Sequence, residues 1–291
     1  MSHRLFTCAC ALALAACGGG DKAAGNAAAS ASFTYGSPVT ASAEQTGALE
    51  TSVASSSSFA AAPTASEGLL LSDPASVTEV LLGASGFGLS SAGPAASLRA
   101  LGASGGGAGA AAGSDFDNPA CATASAAGVT LTGCTITMDL TSGSDTIHAV
   151  ITANGSVSYA AATQELTWDL RVAESVAVSG TTSGTASASV HVAGSLVATE
   201  ATIVGHMGSE LMFTASAGGQ TMRVGVDESV DVNVVYADAV SCATRVTGGT
   251  VEAKRVWTAR PQGATPVDFP DAAAKVTFTA CGEATIQYGI R

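Results

Sequence analysis

The sequence predicts an all-β chain: an antiparallel meander of about 9–11 strands, as a curved sheet, a barrel or a sandwich, with two short N-terminal helices packed on it. Two observations carry this. From about Val129 onward apolar and polar residues alternate with period 2, and the alternating runs are joined by short glycine-rich links with no helical pattern between them. Parallel neighbours need long crossovers, so short links impose antiparallel ones.

The clearest strand runs from Gln164 to Val172. Leu166, Trp168, Leu170 and Val172 point one way while Glu165, Thr167, Asp169 and Arg171 point the other, as in a strand wet on one face. Ile136, Met138 and Leu140 repeat the pattern, as do Val176 and Val178, Val190 and Val192, Met222, Val224 and Val226, and Val276 and Phe278. Asn154-Gly155 reads as a type I′ hairpin turn, and Gly180 to Gly184, Gly218-Gly219 and Gly248-Gly249 as further turns. Before the strands, Asp73-Pro74 supplies an N-cap and a first-turn proline ahead of Val77, Val80 and Leu81 at helical spacing. Gly93-Pro94 opens a second short helix with Leu98 and Leu101, ended by Gly102. Helices this short do not hold alone. The apolar side of the sheet is the partner they need, since a sheet this large must curl, close or be covered.

Composition removes several function classes. Only 12% of the 291 residues are charged, and 23 acidic residues stand against 11 basic ones for a net charge of -12. A coiled coil needs charged flanking positions and a nucleic-acid binder needs basic surface, so both are excluded, and no nucleic-acid partner is expected. After residue 17 no apolar run is long enough to cross a bilayer as a helix.

The N-terminus reads as an export signal. Arg4 lies in a short polar start, an apolar stretch runs from Leu5 to Ala16, and Leu14-Ala15-Ala16-Cys17 follows. This end resembles the lipobox of bacterial lipoproteins, which implies that residues 1–16 are removed and that the Cys17 sulfur carries a diacylglyceryl group. The resemblance covers only this signal; the β-rich part carries no family motif. Two or three acyl chains anchor far more firmly than one, at about 0.8 kcal/mol per buried methylene. In that family an Asp directly after the cysteine retains the protein at the inner membrane; here the position is Gly18. The resemblance therefore implies an envelope protein at the outer membrane, on its periplasmic face or at the cell surface. Removing Arg4 leaves 10 basic against 23 acidic residues, so the acyl anchor and not charge makes the membrane contact.

Cys8 and Cys10 leave with the signal and Cys17 takes the lipid, so four cysteines remain: Cys121, Cys134, Cys242 and Cys281. An even number in an exported chain reads as two disulfides with three possible connectivities. Pairing Cys121 with Cys134 and Cys242 with Cys281 is favoured because each pair flanks a local stretch. Zinc is disfavoured, because a four-cysteine site needs close pairs that this spacing lacks.

The resulting division is a signal peptide over 1–16, lipidated Cys17 and a low-complexity tether over 17–71, short helices and a glycine-rich linker over 72–117, and the antiparallel β domain over 118–291. The tether is inferred from Ala, Ser and Gly richness, which buries too little apolar area to offset ordering entropy.

Chemistry-bearing constellations are sparse. Gly102-Ala103-Ser104-Gly105-Gly106 has hydrolase-elbow spacing but lies in a linker with no strand before it. His148, His191 and His206 lack zinc spacing, and His191 alternates with Val190 and Val192, on the wet face. Asp227, Asp231 and Asn233 share a strand face and read as an acidic solvent face, because a straight strand does not curl ligands around calcium. Glu228 falls in the register of Val226 and Val230, so either a bulge shifts the strand or Glu228 faces inward with a partner such as Arg. No cofactor, metal or catalytic residue is assigned. The reading is a non-catalytic anchored lipoprotein displaying a disulfide-supported β domain in a structural, adhesive or protein-binding role. Its alternative is a periplasmic carrier of lipid or another apolar ligand, contacted by Leu166, Trp168 and Leu170.

Overall fold

The computed structural model describes residues 25–43, 45–46, 116–125, 128–142, 144–160, 162–181, 183–199, 201–237, 242, 246–262, 264, 266 and 269–291. Within them, twelve strands form one antiparallel sheet that does not close. They are β1 (Thr34–Tyr35), β2 (Val39–Thr40), β3 (Ala122–Ser125), β4 (Gly128–Ser142), β5 (Asp145–Ala160), β6 (Glu165–Ser179), β7 (Gly184–Ala198), β8 (Thr202–Ala217), β9 (Gln220–Tyr236), β10 (Val246–Ala259), β11 (Ala272–Ala280) and β12 (Glu283–Ile290). From β3 to β12 each strand pairs with the next in sequence, the predicted meander. β1 and β2 come from far upstream and line the outer edge of β12, with Thr34 opposite Ile290 and Thr40 opposite Thr285.

The sheet is wider and its strands longer than the turn signals suggested. Asn154-Gly155 is not a hairpin turn, since β5 runs through it. Gly155 sits opposite Leu170, where a Cβ would overlap the Asp169 carbonyl oxygen, and Asn154 Oδ1 accepts from the Gly133 N–H (2.7 Å) where β4 shifts register. Gly248-Gly249 likewise lies inside β10 at a register shift against β9. At both places glycine answers to close backbone approach beside a bulge, not to chain reversal. Gly218-Gly219 does reverse the chain, between β8 and β9.

Only one short helix is described, α1 (Asn26–Ser30), and it is neither of the two expected. Those, near 73–81 and 93–101, lie outside the described residues. α1 falls within the stretch expected to be tether, and so do β1 and β2. Residues 25–46 are therefore built into the β domain over the positions described, a correction to the tether reading, while the rest of 17–71 lies outside the described residues. Composition misled here because small residues dock where a sheet offers small neighbours. A Cβ on Gly25 would overlap the Glu228 carbonyl oxygen and come within 2.9 Å of the Gly208 Cα.

Register divides the sheet into two faces. Val157, Trp168, Gly194, Met207, Val230 and Ala253 occupy facing positions on β5 to β10 and share the apolar face. Its core joins Leu166, Leu196, Ile203, Val234, Val251, Val276, Phe278 and Ile286, each buried. A second cluster gathers Cys121, Leu131, Cys134 and Ala153, with Phe116, Leu170 and Val172 packed on it. The favoured bridges are present, Cys121–Cys134 and Cys242–Cys281, with Cα separations of 5.1 and 5.7 Å.

Candidate functional site

The polar face is ordered by histidine–carboxylate pairs between strands. His148 Nδ1 lies 2.7 Å from Asp139 Oδ1, His191 Nε2 2.9 Å from Asp169 Oδ1, and His206 Nδ1 2.7 Å from Asp231 Oδ1. These are cross-strand pairs of the type that fix neighbouring strands against each other. His191 is on the polar face as its alternation predicts, yet its side chain is only 15% exposed, because Asp169 holds one nitrogen and Glu210 approaches the other at 3.7 Å. The His206 hydrogen bond is the chief cause that holds the Asp231 carboxyl below its ordinary range.

Ser195, His206 and Asp231 stand opposite one another on β7, β8 and β9. Only the His206–Asp231 link is a hydrogen bond; none joins Ser195 to His206 among the described residues, so the serine is not aligned as a nucleophile. A depression of about 300 Å³ lies elsewhere on the sheet, lined on β6 by Ala173, Glu174 and Ser175, on β7 by Ser187, Ala188 and Ser189, and by Val150, Thr152 and Met212 from the neighbouring strands. No group of three metal-ligating side chains occurs among the described residues.

The N-terminal segment crosses this face. The Asp227 carboxyl accepts the backbone N–H of Ala27, Lys254 Nζ donates to the Ala29 carbonyl (3.5 Å), and the Tyr35 hydroxyl donates to Glu252. Burial, reinforced by Glu210, pushes the Asp227 carboxyl above its ordinary value. Beneath the segment Ser229 is 1% exposed and its hydroxyl has no partner among the described residues. Burial first, with the Glu252 contact second, raises the Tyr35 phenol above its ordinary value.

On the apolar face, Leu166 and Trp168 are buried and Leu170 is half-buried against both core clusters. Trp168 Nε1 is buried without a hydrogen-bond partner among the described residues, and an unpaired buried donor of this kind costs on the order of 1–3 kcal/mol. Of the two alternatives for Glu228, the second holds. It stays in register on the apolar face, with Arg255 directly opposite on β10, and the Arg255 Nε donates to Glu228 Oε1 at 2.6 Å. Glu174 lies on the same face, opposite Ile151 and Ala188, with no hydrogen bond or ion pair among the described residues. Burial raises its carboxyl above the ordinary value. A signal for it existed, since Glu174 sits two residues from both Val172 and Val176, in the apolar register of β6. Cys17 lies outside the described residues.

Comparison with protein-family models, with curated proteins and with solved structures found no match to this chain.

Proposed function

We propose that the protein is an exported lipoprotein, acylated at Cys17 and anchored at the outer membrane, whose β domain serves a non-catalytic structural, adhesive or protein-binding role. The observation that carries this reading is the cysteine pairing. The four distal cysteines bond to one another, which leaves Cys17, in its Leu14-Ala15-Ala16-Cys17 context, out of both bridges. Two bridges also suit an oxidising compartment. The docked N-terminal segment adds a geometric consequence. The eight chain steps from Cys17 to Gly25 span at most roughly 28 Å when extended, so the anchor would hold the sheet near the bilayer on a short leash, not a long tether.

Metabolic palmitate labelling tests this directly. Wild-type protein should take up label and fractionate with membranes, whereas Cys17→Ser should do neither. Equal labelling and equal membrane retention in the variant would end the lipoprotein reading.

The carrier reading keeps one specific support, the buried Trp168 Nε1, which has no partner among the described residues, beside Leu166 and Leu170. A ligand with an acyl chain and a carbonyl oxygen would satisfy that donor. At a hundred times its dissociation constant such a ligand would stabilise the domain by about 2.7 kcal/mol. A panel of fatty acids and phospholipids that leaves the melting temperature unmoved would remove this alternative.

A further inference from the structure

Gly25 rests on the polar face, away from the rims of the sheet. A Cβ on it would overlap the Glu228 carbonyl oxygen and come within 2.9 Å of the Gly208 Cα, where β8 and β9 run side by side. From there α1 continues over the same face, with the Ala27 N–H on Asp227 and the Ala29 carbonyl on Lys254. Residues 17–24 lie outside the described residues, yet their number caps the distance from Gly25 to Cys17 at roughly 28 Å. To reach the apolar side, the chain must round a rim. Across the strands, the row Ser229, Lys254, Ala273, Gly289, Tyr35 runs from β9 to the outer strand β1, about 19 Å at the usual strand spacing. Along the strands, Gly208 to Thr202 at the near end of β8 is about 20 Å. Either route leaves at most about 9 Å of leash, less than the roughly 10 Å that one sheet layer occupies. A bilayer holding the Cys17 acyl chains therefore cannot lie under the apolar face. Nor does the polar face adhere to lipid by charge: Asp169, Glu210 and Asp231 are about half exposed there beside Arg171. Their repulsion of anionic headgroups is screened beyond about 8 Å at physiological salt, well inside the leash.

We infer that the polar face is the membrane-facing side of the protein, held opposite a lipid headgroup surface across a layer of water, with the apolar face turned outward. The inference rests on acylation at Cys17, proposed above, and adds the direction in which the anchor presents the sheet. Leash length and attachment point fix that direction, because the anchor starts from the polar face and is too short to leave it. Leu140, Met222 and Ile290, exposed on the opposite face, then point away from the lipid. A carrier held this way would not draw lipid from its own leaflet across the apolar face.

The test couples the mature chain, Cys17 to Arg291, through the Cys17 thiol to a maleimide lipid in phosphatidylcholine vesicles, so it reads orientation whether or not cells acylate that cysteine. Thr221 and Met222 are neighbours on β9, both exposed, on opposite faces and outside the core. A fluorophore attached through an azide-bearing residue at one position or the other reports its distance from an acceptor dye on the headgroups, and any tilt of the sheet moves both positions alike. Energy transfer should be greater from position 221 than from position 222. Inserting about 20 Gly and Ser residues after Gly20 extends the reach to roughly 100 Å and should abolish the difference. Equal transfer from the two positions on the natural leash, or greater transfer from 222, would overturn the orientation. A difference that survives the insertion would overturn the leash as its cause. Palmitate labelling unchanged in Cys17→Ser would instead strike the lipoprotein reading and leave the vesicle result standing.

Discussion

The two edges of the sheet are closed by chain of very different origin. At one edge, β3 pairs with the β4 that follows it, and Asp117 ties down Thr137 through its backbone N–H (3.2 Å) and hydroxyl (2.7 Å). The Cys121–Cys134 bridge fixes that strap across a sequence separation of 13. At the other edge β12 is lined by β1 and β2, and the Gln287 side-chain amide donates to the Gly36 carbonyl (3.0 Å) across 251 residues. Unpaired strand edges invite association with other chains. This sheet guards one edge locally and the other by bringing the N-terminal segment across the polar face and around its rim. The local closure costs little loop entropy and tolerates damage nearby, whereas the distant one depends on every contact that holds residues 25–46.

The largest break is removal of the distant closure. Deleting residues 25–46 strips α1 from β8–β10 and bares β12, and the melting temperature should fall by about 10 °C or more, as expected for a loss of several kcal/mol in a domain of this size. Light scattering should rise with it as the freed edge pairs between molecules. A deletion variant as stable and as monomeric as wild type would make the segment ornamental.

Next come the bridges, which sharpen the contrast between local and distant closure. In the chain-entropy model, losing Cys242–Cys281, with a separation of 39, costs about 4 kcal/mol, and losing Cys121–Cys134 costs about 3 kcal/mol. Paired Cys→Ser variants compared by urea unfolding should rank in that order. The reverse ranking would mean that the β4 strap matters beyond loop entropy.

A single residue tests the distant closure more finely. Gly25 has φ 74° and lies against the Glu228 and Gly208 backbone. Gly25→Ala should cost about 1–3 kcal/mol by left-handed strain and lost contact, and amide exchange should quicken in 25–36 while β5 and β6 are unchanged.

The smallest effect is electrostatic. Asp227 binds its proton more tightly in the folded protein than in the unfolded chain, so its contribution to stability falls as pH rises from the ordinary value of 3.8 through the raised one. Asp227→Asn removes that penalty and keeps an acceptor for the Ala27 N–H. Its melting temperature should exceed wild type slightly at neutral pH, and the gain should vanish below pH 3.8. A gain that persists in acid would mean that the carboxyl charge is not its origin.

What the sequence made legible follows the same division. The β4 to β12 meander and its two faces were readable because period-2 alternation is local, whereas four cysteines left three connectivities open, of which the structure has the one that local spacing favoured. Gly155 and Gly249 misread as turns because a glycine that admits a neighbouring backbone looks, in one dimension, like one that reverses the chain. Residues 25–46 were invisible as structure because Thr34-Tyr35 and Val39-Thr40 are too short to show a period, and their partners lie near the C-terminus. Glu174 was legible in register but not in consequence, because a lone carboxylate on an apolar face gains meaning only from what lies opposite it.

Stapling of the N-terminal segment is what closes the distant edge, and native-state hydrogen exchange of the mature protein measures it directly. The amides of Ala29, Gly36 and Ala41 donate to the carbonyls of Gly25, Tyr288 and Ala284 at 2.9 to 3.0 Å. They should exchange well below unstructured-chain rates, with Gly36 and Ala41 slowing together as the β12 edge does. Exchange of all three at the rate of a free peptide, with the amides of β8 and β9 still protected, would contradict the distant closure and return residues 25–46 to the role of tether.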